Sequence, residues 1–221
     1  MKTALLFDLD GTLVDTDAEH LVAFQHVFAP HGIALDRALY VQKIMGYSND
    51  LIARDFLPHL APAQQAAVFE AKEAAYRANV GALVALPGVE ALLAYADAHG
   101  LARAVVTNAP RANAEMVLTA LGFDRHLPIR VIGGELERAK PHPLPYLTGL
   151  ARTGASAAHS VGFEDSRSGV RSAAAAGLAV VGLTTSLDEA ALIEAGATIA
   201  IADYTDPRLL PFIHQRMLGD A

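Results

Sequence analysis

Six short apolar runs constrain this chain more than any other feature: Ala4–Phe7, Ala104–Thr107, Ile129–Ile132, Ser160–Phe163, Ala179–Leu183 and Thr198–Ala202. Each is rich in Val, Ile, Leu or Ala with little polar alternation. Each therefore predicts a strand covered on both faces, as in a parallel sheet. Helical patterns separate them. Val89–His99 follows Pro87-Gly88, Arg111–Leu121 lies between Pro110 and Gly122, and Gly169–Ala176 stops at Gly177. Proline at the start and glycine past the end are ordinary helix punctuation. Strand and helix in alternation predict right-handed crossovers and an α/β, doubly wound parallel sheet.

One stretch breaks the rhythm. Residues 16–84 contain helical patterns at Asp17–Ala29, Asn49–Phe56 and Pro62–Ala78, and no convincing strand. They predict a small all-helical cap domain, inserted on linkers near Asp15 and Ala85 into a core of residues 1–15 and 85–221. A chain of 221 residues with 52% hydrophobic content is long enough for a core and such an appendage. Its net charge of −7 argues against a nucleic-acid partner. No apolar run approaches the ~18 residues of a membrane span, and the N-terminal apolar run is too short for a signal peptide. Cysteine is absent, which excludes disulfides and thiolate metal sites. The expectation is a cytoplasmic protein, monomeric or weakly homo-oligomeric.

The chemistry-bearing residues lie at strand ends. The first strand runs into Asp8-Leu9-Asp10-Gly11-Thr12. Two carboxylates spaced i, i+2 share a face if extended geometry persists, at the sheet edge where open α/β sheets bind ligands. Side by side they call for a cation or a proton, and a hard, oxygen-ligated ion such as Mg²⁺ answers that need. A second strand ends in Thr107-Asn108, Lys140 precedes Pro141, and another strand ends in Glu164-Asp165-Ser166. Taken singly, these features have ordinary readings: an acidic turn, a structural threonine, a solvated lysine, a helix cap. Taken together they supply what phosphoryl transfer needs: a nucleophile, an acid–base group, a metal site and clamps on the phosphate oxygens.

In these four segments the chain resembles the haloacid dehalogenase-like superfamily of aspartate-nucleophile phosphotransferases, within it the β-phosphoglucomutase-like and phosphoglycolate-phosphatase-like group. The resemblance covers essentially the whole chain and implies a Rossmann-like core under a helical cap, acting on a small phosphorylated metabolite. By that resemblance Asp8 is the nucleophile that becomes phospho-aspartate and a Mg²⁺ ligand. Asp10 is the general acid and then base, touching the metal through its backbone carbonyl. Thr107, Asn108 and Lys140 form the phosphate clamp, and Asp165 with Glu164 completes the metal site. Neighbouring carboxylates resist joint ionisation, so the expected division leaves Asp8 ionised beside the metal and the proton on Asp10.

Within the cap, His20 and Lys72 match positions of the mutase group. Asn49 stands where the mutases carry an arginine after Gly-x-Ser, and Thr12 is the residue typical of the hydrolases. The resemblance therefore favours a phosphatase over a phosphomutase. A metal-independent dehalogenase does not need Asp10 with Glu164-Asp165. A phosphate-binding protein without catalysis does not need both Asp8 and Asp10. A nicotinamide-binding fold would show Gly-x-Gly-x-x-Gly after the first strand, where this chain has Asp-Leu-Asp-Gly-Thr.

Overall fold

The computed structural model describes residues 2–218. In chain order its elements are β1 (Ala4–Phe7), α1 (Asp17–Phe28), α2 (Arg37–Lys43), α3 (Asn49–Phe56), α4 (Pro62–Asn79), α5 (Val89–Ala98), β2 (Ala102–Thr107), α6 (Arg111–Ala120), β3 (Ile129–Ile132), α7 (Leu144–Thr153), β4 (Val161–Glu164), α8 (Arg167–Ala175), β5 (Ala179–Leu183), α9 (Glu189–Ala195), β6 (Ile199–Ile201) and α10 (Leu209–Leu218). The strands form one sheet in the order β3-β2-β1-β4-β5-β6. Every pairing is parallel, with Leu6 opposite Ala104 on one side and Gly162 on the other. The order reverses between β1 and β4, and such a switch point opens a crevice at the carboxyl ends of the strands.

The period-2 alternation of a strand divides the core in two. Leu6, Ala104, Val106 and Val180 point to the face covered by α7, α8 and α9. Leu5, Phe7, Val105 and Val181 point to the face covered by α5, α6 and α10. That two-sided burial is why the strands lack polar alternation. On the second face Phe7 stacks on Phe163 with ring centroids 4.6 Å apart, which ties β1 to β4 just below the switch point.

Several boundaries differ from the sequence reading by one or two residues. β2 begins two residues earlier, at Ala102. β4 runs from Val161 to Glu164 because the Ser160 hydroxyl, not its backbone, accepts the Ala4 N–H at 3.0 Å. α8 begins at Arg167 because the Ser166 hydroxyl accepts the Gly169 N–H at 3.0 Å and caps the helix. The helices α2, α7, α9 and α10 carry sequence patterns too short or too proline-interrupted to have been anticipated.

Residues 16–84 contain α1 to α4 and no strand. The two ends of this stretch come together where Val14 bridges Ala85 in antiparallel fashion. The insert has an aromatic centre: the Phe28 ring lies 5.4 Å from both Phe24 and Phe56 and is fully buried. Phe28→Ala is expected to lower the unfolding free energy by about 3–5 kcal/mol. Urea denaturation checks this, and a loss under about 1 kcal/mol, the level of an uncoupled surface change, would show that the insert is not organised around that ring.

Candidate active site

Asp8 continues the β1 ladder by one residue, its N–H donating to the Phe163 carbonyl at 3.0 Å. The chain then turns sharply. Gly11 N–H donates to Val14 O at 2.7 Å and Leu13 N–H to Leu9 O at 2.8 Å. Gly11 has φ +74°, and a Cβ there would stand 2.2 Å from Asp165 Oδ2. Only glycine lets the turn and Asp165 share that space. Thr12, on the same turn, donates its hydroxyl to Asp165 Oδ1 at 3.0 Å, so this threonine positions an acidic group across the switch point.

Lys140 is not the solvated charge its composition suggests; it is 1% exposed. Its ammonium lies 2.9 Å from Asp8 Oδ1 and 2.6 Å from Glu164 Oε1. Burial disfavours its charge, but Asp8 and Glu164 outweigh that and hold its pKa above the usual lysine value. Asn108 fixes the segment: its Oδ1 accepts Lys140 N–H at 3.2 Å, and its Nδ2 donates to Lys140 O at 3.3 Å and to Gly46 O in the insert at 3.0 Å. Thr107 is buried at the end of β2, where its hydroxyl accepts the Ala109 N–H at 2.9 Å.

The acidic groups meet as the sequence anticipates. One oxygen each from Asp8, Glu164 and Asp165 falls within a span of 4.8 Å, and all three residues are buried. Burial pushes all three pKa values up, Glu164 to about 7, against the partial relief that Lys140 gives Asp8 and Glu164. Asp8 Oδ1 receives no well-directed hydrogen bond although Lys140 is near. Three buried carboxylates, one of them with an under-partnered oxygen, make an oxygen donor set with the chemistry for a hard divalent cation. Glu164 is the most engaged of the three, since its Oε1 also takes the Tyr146 hydroxyl at 2.6 Å.

Asp10 stands apart. Burial raises its pKa, but His20, Thr16 and Lys72 outweigh burial and bring it below the ordinary aspartate value. Thr16 donates to Asp10 Oδ1 at 2.6 Å, and His20 Nε2 lies 3.4 Å from the same oxygen. Lys72 Nζ approaches His20 Nδ1 at 3.0 Å. An ammonium only donates, so Nδ1 accepts and Nε2 carries the hydrogen facing Asp10. In the protein alone, therefore, Asp8 is the group pushed toward protonation and Asp10 the one held ionised.

His20 and Lys72 are both buried beside Asp10, and Asn49 lines the same cleft. Thr16, Asp17, Glu73, Tyr146 and Ser186 were not anticipated. Ser186 lies 2.6 Å from Asp17 Oδ2 and 2.8 Å from Asp165 Oδ2. Asp17 was visible as an acid at a helix start, but only the fold shows it facing the cleft.

A parallel sheet whose switch point gathers buried carboxylates around one buried lysine has parts that phosphoryl transfer uses. The chain belongs to the haloacid dehalogenase-like hydrolases, whose family model matches residues 5–183. It is 31% identical to validoxylamine A 7'-phosphate phosphatase of Streptomyces hygroscopicus subsp. limoneus, over 94% of this chain and 97% of that one. It is likewise 31% identical to the phosphorylated carbohydrates phosphatase of Thermotoga maritima, over 90% of this chain and 93% of that one. Among solved structures, CbbY from Rhodobacter sphaeroides in complex with xylulose-(1,5)bisphosphate superposes with a TM-score of 0.79 at 29% identity, covering 93% of this chain and 96% of that one. This protein is a phosphoric monoester hydrolase of that family.

Tyr146→Phe removes the second donor to buried Glu164 and is expected to destabilise the protein by about 1–3 kcal/mol. Thermal or urea unfolding measures it; an unchanged midpoint would show that Lys140 and the Ser166 hydroxyl suffice for Glu164.

Proposed function

We propose that the protein hydrolyses a small phosphate monoester, such as a sugar phosphate or phosphoglycolate, in a Mg²⁺-dependent reaction through a phospho-aspartate on Asp8. The observation that carries this reading is the pair of unlike environments two residues apart: Asp8 against Lys140 in the acidic cluster, Asp10 against His20 outside it. Residues 16–84 act as the cap over this site. Asp8, Asp165 and Glu164 would hold Mg²⁺, with Asp10 adding its backbone carbonyl. When bound, the cation supplies the positive charge that lets these carboxylates be ionised together and offsets charge on the phosphate oxygens.

The chain's own groups do the rest. Asp8 attacks phosphorus while its second oxygen stays within the acidic cluster. Lys140, Thr107 and Asn108 hold the phosphoryl oxygens where negative charge accumulates. His20 Nε2 faces Asp10 Oδ1 at 3.4 Å and stabilises its ionised form. Asp10, protonated from solvent, gives that proton to the departing alcohol oxygen, then, again ionised, takes one from the water that attacks phospho-Asp8. The depressed pKa of Asp10 suits the second step. Transfer to water rather than back to a sugar fits Asn49, which places an amide, not a guanidinium, in the cleft.

Exhaustive chelation should abolish phosphate release from p-nitrophenyl phosphate, and added Mg²⁺ should restore it. Full activity in chelator would refute the metal site. Asp8→Asn should fold and lose at least about a thousandfold in turnover, since it removes the nucleophile of a unit that acts as a whole. Asp10→Asn should slow both steps but leave the first partly active on acetyl phosphate, whose leaving group needs no proton. The trapped phospho-enzyme then appears in intact-mass spectra as a phosphate adduct removed by hydroxylamine. Equal losses on activated and unactivated substrates, with no adduct, would overturn the assignment of Asp10.

A further inference from the structure

The acidic groups around the switch point are met in two different ways. Asp8 and Glu164 share the Lys140 ammonium. Asp165 and Asp17 are held by hydroxyls instead. Thr12 donates to Asp165 Oδ1 at 3.0 Å, and Tyr40 donates to Asp17 Oδ1 at 3.2 Å. The remaining oxygen of each acid faces one and the same hydroxyl, that of Ser186, which lies 2.8 Å from Asp165 Oδ2 and 2.6 Å from Asp17 Oδ2. The loop after β5 presents this serine in a fixed place, because the neighbouring Thr185 hydroxyl donates to Gly11 O at 2.6 Å. A serine hydroxyl has one hydrogen to donate. It serves one of its two carboxylates at a time and turns lone pairs toward the other. Asp165 and Asp17 are 2% and 5% exposed, so water does little to screen them from each other.

The two acids belong to different parts of the chain. Asp165 follows β4 and is one of the three carboxylates that fit a divalent cation, whereas Asp17 opens α1 of the insert. Resting on the metal site of the phosphatase reading above, we infer that the Asp17–Ser186–Asp165 bridge couples cation binding to the seating of the insert on the strand ends. Without a cation, seating brings the Asp17 carboxylate toward Asp165 with a single hydrogen between them, and like charges in that setting repel. Positive charge beside Asp165 removes that penalty. Coupling is reciprocal, so the seated insert strengthens the hold on the cation by the same factor. Asp17 is a positioning residue in this scheme. It acts through Ser186 and Asp165, as groups behind metal ligands commonly do, with effects of about 10–100-fold on affinity. Neither Asp17 nor Ser186 lies in the four segments that carry the family resemblance.

The test uses the full-length protein and Mg²⁺ alone, without substrate. Isothermal titration calorimetry reads the Mg²⁺ affinity. Hydrogen–deuterium exchange of residues 37–49 reads seating, since this segment holds no proposed metal ligand and its Gly46 carbonyl is tied to Asn108 at 3.0 Å. In the wild type Mg²⁺ is expected to slow exchange there at least about fivefold, the lower end of ordinary coupling. Asp17→Asn removes the charge and gives Ser186 an amide partner. It should bind Mg²⁺ at least about tenfold more weakly, protect residues 37–49 without Mg²⁺ at least as well as the wild type does, and gain no further protection at saturating Mg²⁺. Ser186→Ala keeps both charges and removes the hydrogen between them, so Mg²⁺ should slow exchange by a larger factor than in the wild type. Should Asp17→Asn fail to fold, Ser186→Ala decides. The inference falls if wild-type exchange is indifferent to Mg²⁺, if Asp17→Asn binds Mg²⁺ as tightly as the wild type, if Mg²⁺ protects both proteins equally, or if Ser186→Ala loses the protection. Failure to hydrolyse p-nitrophenyl phosphate while Mg²⁺ still binds and slows exchange would instead remove the phosphatase reading and leave the coupling in place.

Discussion

The buried ammonium of Lys140 is the interaction on which the strand-end cluster depends. An isolated buried charge is prohibitively costly, and so is a group of like charges. Lys140 lies between Asp8 and Glu164, within 2.9 Å of both. It comes from a segment between β3 and α7 and meets residues from β1 and β4, so its charge holds together parts of the chain that are distant in sequence. The Asn108 side chain bonds both the N–H and the carbonyl of Lys140. The lysine is thus set by its backbone before its side chain meets any acid. The charge it leaves uncompensated in the cluster is the physical reason to expect a cation there.

A second set of polar contacts crosses from the insert to the sheet-bearing part. Asn108 reaches Gly46, Asn113 reaches Glu73 and Arg77, and Ser186 reaches Asp17. These contacts come from the loops after β2 and β5 and from α6. Gly46 packs so closely that a Cβ there would lie 2.3 Å from the Ser166 hydroxyl. Its φ of +75° lets the insert approach the end of β4 without a side chain intervening.

Much of this was legible in the sequence, for identifiable reasons. The strands are buried on both faces apart from the starts of β2, β3 and β6, and therefore read as short apolar runs, so their number and parallel character followed directly. Asp8, Lys140, Glu164 and Asp165 stand at or near strand ends, and the rule that open sheets bind at their carboxyl ends brings them together. What escaped was whatever needs three dimensions. Nothing in the sequence shows that Lys72 is buried or that the residue beside it faces the same cleft, because neighbours on a helix normally diverge. Tyr146 sits in a helix whose start is crowded by prolines, so neither the helix nor its hydroxyl's target could be read. The protonation order at Asp8 and Asp10 depends on desolvation, which spacing alone does not reveal.

The connectivity separates two kinds of inheritance. On the proposed reading the reacting groups are dispersed: Asp8 and Asp10 follow β1, Thr107 and Asn108 lie at the end of β2, Lys140 precedes α7, and Glu164 and Asp165 lie at the end of β4. Changing the reaction would require concerted substitutions in four distant segments. The walls that face the alcohol come mostly from one uninterrupted stretch, α1 to α4. On the proposed reading, a lineage could exchange its substrate by drift or recombination within that single stretch while the phosphate chemistry stayed fixed, so relatives could share a catalytic floor and differ in diet.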